Sequence, residues 1–201
     1  KVQFDTIYHE HYSYLSLVSV ERILAKHELR VFDVQTLSTH GGSLRVFVCH
    51  KNSSHDELSG LHDVRQAEQS AKLGEKGGYT GFPVRVAKVR EDFLAFVAKA
   101  KLEGKSIAGY GAAAKGNTFL NFCGIGEADL SFVADRNIHK QGRLLPGIHA
   151  PIVDPSQIDE AKPDYLLILP WNLADEVADQ HQQIRNWDGK FVTAIPDLRI
   201  F

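Results

Sequence analysis

Residues 106–116 read Ser-Ile-Ala-Gly-Tyr-Gly-Ala-Ala-Ala-Lys-Gly, and this segment is the clearest indication of the fold class. A short apolar strand runs into a glycine-rich turn, and a helix is predicted to follow the turn and to continue through Phe122. Strand, glycine turn and helix in this order are typical of Rossmann-type proteins. In that context, backbone amides and the helix dipole can hold a phosphate or a carboxylate, and Lys115 could add a point charge.

Strands and helices alternate through the rest of the C-terminal half. The predicted strands are short and apolar, and they lie at 130–134, 152–153, 165–169 and 191–195. A helix is predicted from 174 to about 187. This alternation predicts a parallel sheet with helices on both faces. The fold class is therefore α/β, with a Rossmann-like parallel sheet and flanking helices over 104–201.

The N-terminal half predicts smaller elements. A short amphipathic helix begins after Ser19, its predicted N-cap, and strands at 30–37 and 43–50 flank a double glycine and form a β-hairpin. Polar helical patterns at 57–76 and 83–102 then form a long helical linker. The predicted domains are an N-terminal segment (1–56), the linker (57–103) and the Rossmann-like domain (104–201).

The glycine-rich turn leaves three interpretations open. Ala114 replaces the third glycine of the dinucleotide-binding pattern, whereas Asp135 ends the next strand, where such folds place the acid that holds a ribose hydroxyl. The turn therefore binds a nicotinamide cofactor, binds another anion, or only reverses the chain. A basic stretch at 136–143 follows at the carboxyl end of the sheet and favours an anion, with a solvated basic loop as its alternative.

Composition excludes several classes of protein. A net charge of −2 gives no general attraction for nucleic acid or an anionic membrane, and no apolar run approaches the ~20 residues that span a bilayer. The two cysteines, Cys49 and Cys123, have apolar neighbours and are predicted to be reduced thiols, so we expect a cytoplasmic location. The chain starts at Lys1 and has no methionine, which indicates a piece of a longer polypeptide.

A second informative stretch covers residues 4–14, where phenols, imidazoles and a carboxylate cluster. Imidazole accepts protons near neutral pH, and a carboxylate or phenol can assist it, so the stretch predicts a site of proton abstraction. In an extended segment Tyr8, Glu10 and Tyr12 would share one face and His9 and His11 the other. A metal site lacks a third nearby ligand, and a polar loop without chemistry is the remaining alternative.

These stretches resemble the sugar C-methyltransferases, which transfer a methyl group from S-adenosylmethionine to carbon 3 of nucleotide-linked 4-keto deoxysugars. The resemblance covers nearly the whole chain, and its strongest blocks are Tyr8-His9-Glu10-His11 and 109–117. The other matching blocks occur in order at 12–14, 39–45, 135–142, 146–147, 163–165 and 170–172.

The resemblance implies a three-part protein of which this chain is the C-terminal portion. An upstream methyltransferase domain, absent from this chain, would bind S-adenosylmethionine, so we expect the isolated chain to be inactive. His11 is implied as the general base at carbon 3, with Tyr8 and Glu10 in support and without a metal. The residues implied to bind the nucleotide-sugar are Gly109, Gly111, Lys115, Arg136, Lys140 and Arg143.

Two rival functions remain open at this point. An NAD(P)-dependent oxidoreductase explains the glycine-rich turn and Asp135 but gives the Tyr8-His9-Glu10-His11 segment no task. A non-catalytic nucleotide-sugar-binding module would use the same turn with another protein as its partner.

Overall fold

The structure, a computed structural model, describes residues 2–201. Contacts divide these residues into two units, which are described separately: Tyr12–Phe82, and the residues up to His11 together with Pro83–Phe201. This grouping differs from the division by sequence at 57 and 104, because the segment before Tyr12 packs with the C-terminal unit and the first predicted linker helix packs on the hairpin.

The smaller unit is a hairpin with two helices. It comprises α1 (Leu17–Ala25), β1 (Leu29–Leu37), β2 (Ser43–His50) and α2 (Ser59–Ser70). The two strands pair antiparallel, as predicted. The predicted start of the first helix is wrong: the helix begins at Leu17, because the Glu68 carboxylate accepts hydrogen bonds from the amides of Leu17 (2.6 Å) and Val18 (2.9 Å). These carboxylate contacts satisfy amides that a helix leaves unpaired at its start.

The larger unit contains a six-stranded sheet flanked by helices, which confirms the predicted fold class. Its strands are β3 (Ile107–Tyr110), β4 (Val133–Ala134), β5 (Ile152–Val153), β6 (Tyr165–Ile168), β7 (Lys190–Thr193) and β8 (Arg199–Ile200). Its helices are α3 (Phe82–Leu102, which starts one residue before this unit), α4 (Ala114–Cys123), α5 (Gln157–Ala161) and α6 (Ala174–Gln180).

The sheet order is β5-β4-β3-β6-β7-β8, and every neighbouring pair is parallel except β7 with β8. After β3, the chain adds β4 and β5 on one side of β3, and then adds β6, β7 and β8 on the opposite side of β3. That reversal is the topological switch point, and open α/β sheets bind ligands beyond the carboxyl ends of the strands that flank it. The site is expected after Tyr110 and Ile168, where β3 and β6 end.

Some predicted bounds were wrong. The antiparallel β8 was not predicted, since a strand of two residues is too short to carry a periodic pattern. The strand expected at 130–134 contains only Val133 and Ala134, and α6 ends at Gln180, after which the 3-10 helix Gln182–Trp187 continues. Over residues 2–201, none of the helices is both long enough and apolar enough to cross a bilayer.

Candidate functional site

The segment that carries the histidine motif is anchored on α4. Its first turn is the 3-10 helix Phe4–Thr6, in which Phe4 is buried. The Phe4 ring lies 6.2 Å from the ring of Phe119 and 4.8 Å from that of Phe122, measured between centroids. A tight turn closed by aromatic contacts restricts where the following residues can lie. Phe4 therefore explains how a polar segment is held in place.

Tyr8 and His11 lie side by side in a second turn. The His11 amide donates to the Tyr8 carbonyl at 2.9 Å, and the two rings are 4.1 Å apart between centroids. The alternating faces expected for an extended segment are therefore wrong, because this turn places a phenol and an imidazole together. Glu10 lies near His9 instead, with 3.9 Å between its Oε1 and His9 Nε2.

A backbone carbonyl orients the His11 imidazole. His11 Nδ1 lies 2.9 Å from the Thr6 oxygen, and a carbonyl can only accept, so Nδ1 carries the proton in this bond. A neutral imidazole protonated at Nδ1 has its lone pair on Nε2. This geometry prepares Nε2 to accept a proton. The partner of Nδ1 is thus the Thr6 carbonyl, and the supporting role implied for Glu10 stays a prediction.

The glycines of the turn mainly permit close packing. Gly109 lies inside β3, where a Cβ would be 3.1 Å from Val133 Cγ2. Gly111 has a φ of +84°, and a Cβ there would be 2.6 Å from Cδ of Pro170. Gly116 lets α4 approach β6, since its Cβ would be 2.6 Å from Cβ of Leu169. Gly116 thus provides the close helix–strand contact usually served by the third glycine, two residues beyond Ala114.

Both oxygens of the Asp135 carboxylate accept hydrogen bonds from within the protein. Its Oδ2 accepts hydrogen bonds from the Ala112 amide (2.7 Å) and from Lys140 Nζ (3.1 Å), and its Oδ1 accepts from the Asn137 amide (2.8 Å). Lys140 also donates to the Ala112 carbonyl at 2.8 Å. The carboxylate that would hold a ribose in a dinucleotide site is therefore used to brace the glycine-rich turn.

Two of the basic residues implied to bind the nucleotide-sugar, Lys115 and Arg136, make contacts within the protein. Lys115 is buried, and its Nζ donates to Asn172 Oδ1 at 3.2 Å and lies 4.9 Å from the ring centroid of Trp171. Burial lowers the pKa of Lys115, and the nearby charge of Asp5 opposes this shift. Arg136 donates to Gln180 Oε1 at 3.2 Å. Burial raises the pKa of Tyr110, and the charge and hydrogen bond of Arg136 oppose that shift.

A cavity of about 450 Å³ is lined both by residues of the histidine motif and by residues of the glycine-rich turn and the basic stretch. Its walls include Tyr8, His9, Ala113, Asn117, Lys140 and Arg143. The stretch Ala112–Ala114 at the start of α4 lines it, and the Arg143 side chain is exposed. The predicted site residues that are not part of its walls are Glu10, His11, Gly109, Gly111, Lys115 and Arg136. Across residues 2–201, no group of three or more His, Cys, Asp or Glu side chains is arranged to hold a metal ion.

Comparison with known proteins identifies the family. A family model described as the C-methyltransferase C-terminal domain matches residues 38–196. The chain belongs to this family. The C-methyltransferase C-terminal domain described here is also 38% identical over 198 residues to the C-methyltransferase NovU of Streptomyces niveus. That alignment covers 98% of this chain and 47% of NovU, so the chain spans about half the length of this relative.

The match confirms the resemblance at the level of the family. The family model begins after the Tyr8–His11 turn, whereas the alignment with NovU covers nearly all of the C-methyltransferase C-terminal domain. The roles of the individual residues stay predictions. The contacts of Asp135 and the packing at Gly116 were not predicted, because neither leaves a signal in the sequence beyond the presence of an acid and a glycine.

Proposed function

We propose that this chain is the substrate-binding portion of an S-adenosylmethionine-dependent C-methyltransferase that acts on a 4-keto nucleotide-sugar, with His11 as the general base. One observation carries the proposal: the His11 imidazole, held by the Thr6 carbonyl, packs against the Tyr8 ring, and Tyr8 lines the cavity at the glycine-rich turn.

The proton chemistry follows from these two side chains. The carbon–hydrogen bond next to the ketone breaks, the proton passes to His11 Nε2, and the electron pair moves onto the ketone oxygen. Such a carbon is acidic enough only if the developing oxyanion is stabilised. The phenol of Tyr8 can donate a hydrogen bond to that oxygen. Base and donor need fixed relative positions, and the turn that closes from the His11 amide to the Tyr8 carbonyl provides them.

The nucleotide end of the substrate requires an anion site. Arg143 lies on the cavity wall with an exposed guanidinium, which can bind two phosphate oxygens at once. The N-terminus of α4 borders the same cavity and adds a partial positive charge. Lys140 is held by Asp135 and the Ala112 carbonyl, so it shapes the wall and contributes charge from a fixed position.

The methyl donor implied by the family is S-adenosylmethionine, which supplies an electrophilic methyl group when bound. The Rossmann unit does not fit it in the usual place. Asp135, the acid that would accept hydrogen bonds from a ribose, is engaged by Ala112, Lys140 and Asn137. The donor is therefore assigned to residues outside this chain, and this chain's task is to bind the sugar nucleotide and to remove its proton.

The test is a pair of assays on the complete natural protein with a 4-keto nucleotide-sugar. Methyl transfer and the exchange of the carbon-3 proton with deuterated water are measured for wild type and His11→Ala. A lost general base costs roughly 100- to 10,000-fold, and both rates are expected to fall by that amount. His27→Ala, which removes an exposed histidine of the smaller unit, is the control and keeps both rates. Wild-type exchange in His11→Ala would refute the proposal.

A further inference from the structure

Four polar side chains form a cluster at the switch point of the sheet. Trp171 Nε1 donates to Asp5 Oδ2 at 2.7 Å, and Lys115 Nζ donates to Asn172 Oδ1 at 3.2 Å beside the Trp171 ring. Asp5 is 1% exposed and Lys115 is 7% exposed. None of the four lines the cavity, and the proposed proton transfer uses none of them directly.

The Asp5 carboxylate is costly where it lies. Its Oδ1 is buried and has no hydrogen-bond partner among residues 2–201. Burial raises the pKa of Asp5, while the Trp171 hydrogen bond and the Lys115 charge oppose the shift. An apolar side chain would fill the same space without the loss of hydration that a carboxylate suffers. The carboxylate therefore does something that packing alone does not require.

A short path leads from Asp5 to the proposed base. Asp5 is the central residue of the 3-10 helix Phe4–Thr6. The carbonyl of the next residue, Thr6, accepts the Tyr8 amide at 3.1 Å and His11 Nδ1 at 2.9 Å. One carbonyl thus sets the positions of the phenol and the imidazole, and Asp5 holds the turn to which that carbonyl belongs.

The other end of the Asp5–Trp171 bond is attached to the sheet. Pro170 and Trp171 lie in the turn after β6, and the Pro170 ring packs so closely on Gly111 that a Cβ there would be 2.6 Å from Pro170 Cδ. The turns after β3 and β6 are therefore in contact at the switch point. The hydrogen bond from Trp171 therefore fixes the Asp5 side chain relative to both turns and to the start of α4.

We propose that Asp5 is a positioning residue for the general base: its hydrogen bond from Trp171 fixes the Thr6 carbonyl, and through it the His11 imidazole, relative to the cavity. The inference rests on the proposed function of His11. It assigns to Asp5 and Trp171 an effect on the rate of proton removal and none on the binding of the nucleotide.

Trp171→Phe tests this in the complete natural protein. It deletes the Nε1 donor and keeps an aromatic ring beside Lys115. We expect kcat for methyl transfer and the carbon-3 exchange rate to fall by about 10- to 100-fold with KM unchanged, as for a misplaced catalytic group. Trp187→Phe is the matched control, because it removes a comparable bond from Trp187 Nε1 to the Pro163 carbonyl (3.0 Å) in the same unit. This control is expected to keep kcat.

Substitutions of Asp5 separate positioning from packing. Asp5→Asn keeps an oxygen that can accept the Trp171 bond, so most of kcat is retained, whereas the apolar Asp5→Leu loses about as much as Trp171→Phe. These two variants decide the matter if Trp171→Phe does not fold. Wild-type kcat in Asp5→Leu, together with inactive His11→Ala, would overturn the positioning role and leave the base in place. Wild-type exchange in His11→Ala would instead overturn the proposed function.

Discussion

The Ala112 amide donates a hydrogen bond of 2.7 Å to the Asp135 carboxylate, and this bond ties the glycine-rich turn to the end of β4. In a dinucleotide-binding fold the same acid faces a ribose, and the loop amides face a pyrophosphate. Here the Gly111 and Ala113 amides also donate to backbone carbonyls, those of Ala134 and Gly111. The turn keeps the Rossmann connectivity, and its amides at 111–113 donate within the protein.

The first prediction concerns the choice of nucleotide. Because Asp135 and the Ala112 amide satisfy each other, we expect a reduced nicotinamide nucleotide not to bind, whereas thymidine diphosphate binds in the cavity beside Arg143. Arg143→Ala is expected to weaken diphosphate binding about tenfold or more, the value of a charge-assisted contact. Fluorescence titration of the complete natural protein measures both ligands.

The control for that titration is Arg136→Ala. It removes the same charge from the same basic stretch, but Arg136 contacts Gln180 and is not part of the cavity wall. We expect it to keep wild-type affinity. Equal losses in the two variants would mean that only the general positive field matters, and tight binding of the nicotinamide nucleotide would contradict the interpretation of Asp135.

The second prediction concerns the Tyr8 phenol. Tyr8→Phe keeps the ring that packs against His11, with 4.1 Å between ring centroids, and removes only the hydroxyl. If that hydroxyl stabilises the oxyanion, kcat for methyl transfer falls by roughly 100-fold while KM changes little. Tyr79→Phe removes a hydroxyl bonded to the Leu73 carbonyl in the smaller unit and serves as the control. A rise in KM at unchanged kcat would show that Tyr8 only binds substrate.

The sheet was predictable because its signals are local. The apolar strand, the glycine turn and the alternation of elements each occupy a few adjacent residues. The contacts of Lys115 and Asp135 were not predictable, because their partners Asn172 and Ala112 lie 57 and 23 positions away in the chain. Sequence could identify a lysine beside a glycine turn but not the direction in which its side chain points.

The same limit applies to the histidine motif. Alternation of Tyr8, Glu10 and His11 between faces assumes an extended backbone, and the bond from the His11 amide to the Tyr8 carbonyl replaces it with a turn. The residue types predict proton chemistry, and that role stays a prediction. Their arrangement depends on Phe4, whose packing on Phe119 and Phe122 joins residues more than a hundred positions apart.

The third prediction separates two reasons for a glycine. Both Gly111→Ala and Gly124→Ala place an alanine in a backbone conformation with positive φ. Gly111→Ala also places a Cβ 2.6 Å from Pro170, whereas the Cβ of Gly124→Ala would have no atom within 4 Å. The backbone strain costs about 1–2 kcal/mol in each. Urea unfolding should therefore show a larger loss in Gly111→Ala, and the difference measures the contact with Pro170. Equal losses would mean that the turn relaxes away from the proline.

The fourth prediction concerns the two thiols. Both are free, Cys49 half-buried in β2 and Cys123 buried at the end of α4. Burial raises the pKa of Cys123 to about 12, so its reactive thiolate is scarce and shielded. At about pH 8 we expect a thiol reagent to modify Cys49 in the native protein and Cys123 only after unfolding. Mass spectrometry of peptides after timed labelling identifies the modified residue.

The raised pKa of Cys123 also makes stability depend on pH with a definite sign. From the ordinary thiol value of 9.0 up to about 12, the unfolded chain loses this proton while the folded protein keeps it. The stabilisation is complete below the lower value and is lost as pH rises through the higher one. Between about pH 9 and about pH 11, the free energy of unfolding should fall more steeply in wild type than in Cys123→Ala. Parallel slopes would show that Cys123 ionises equally in both states.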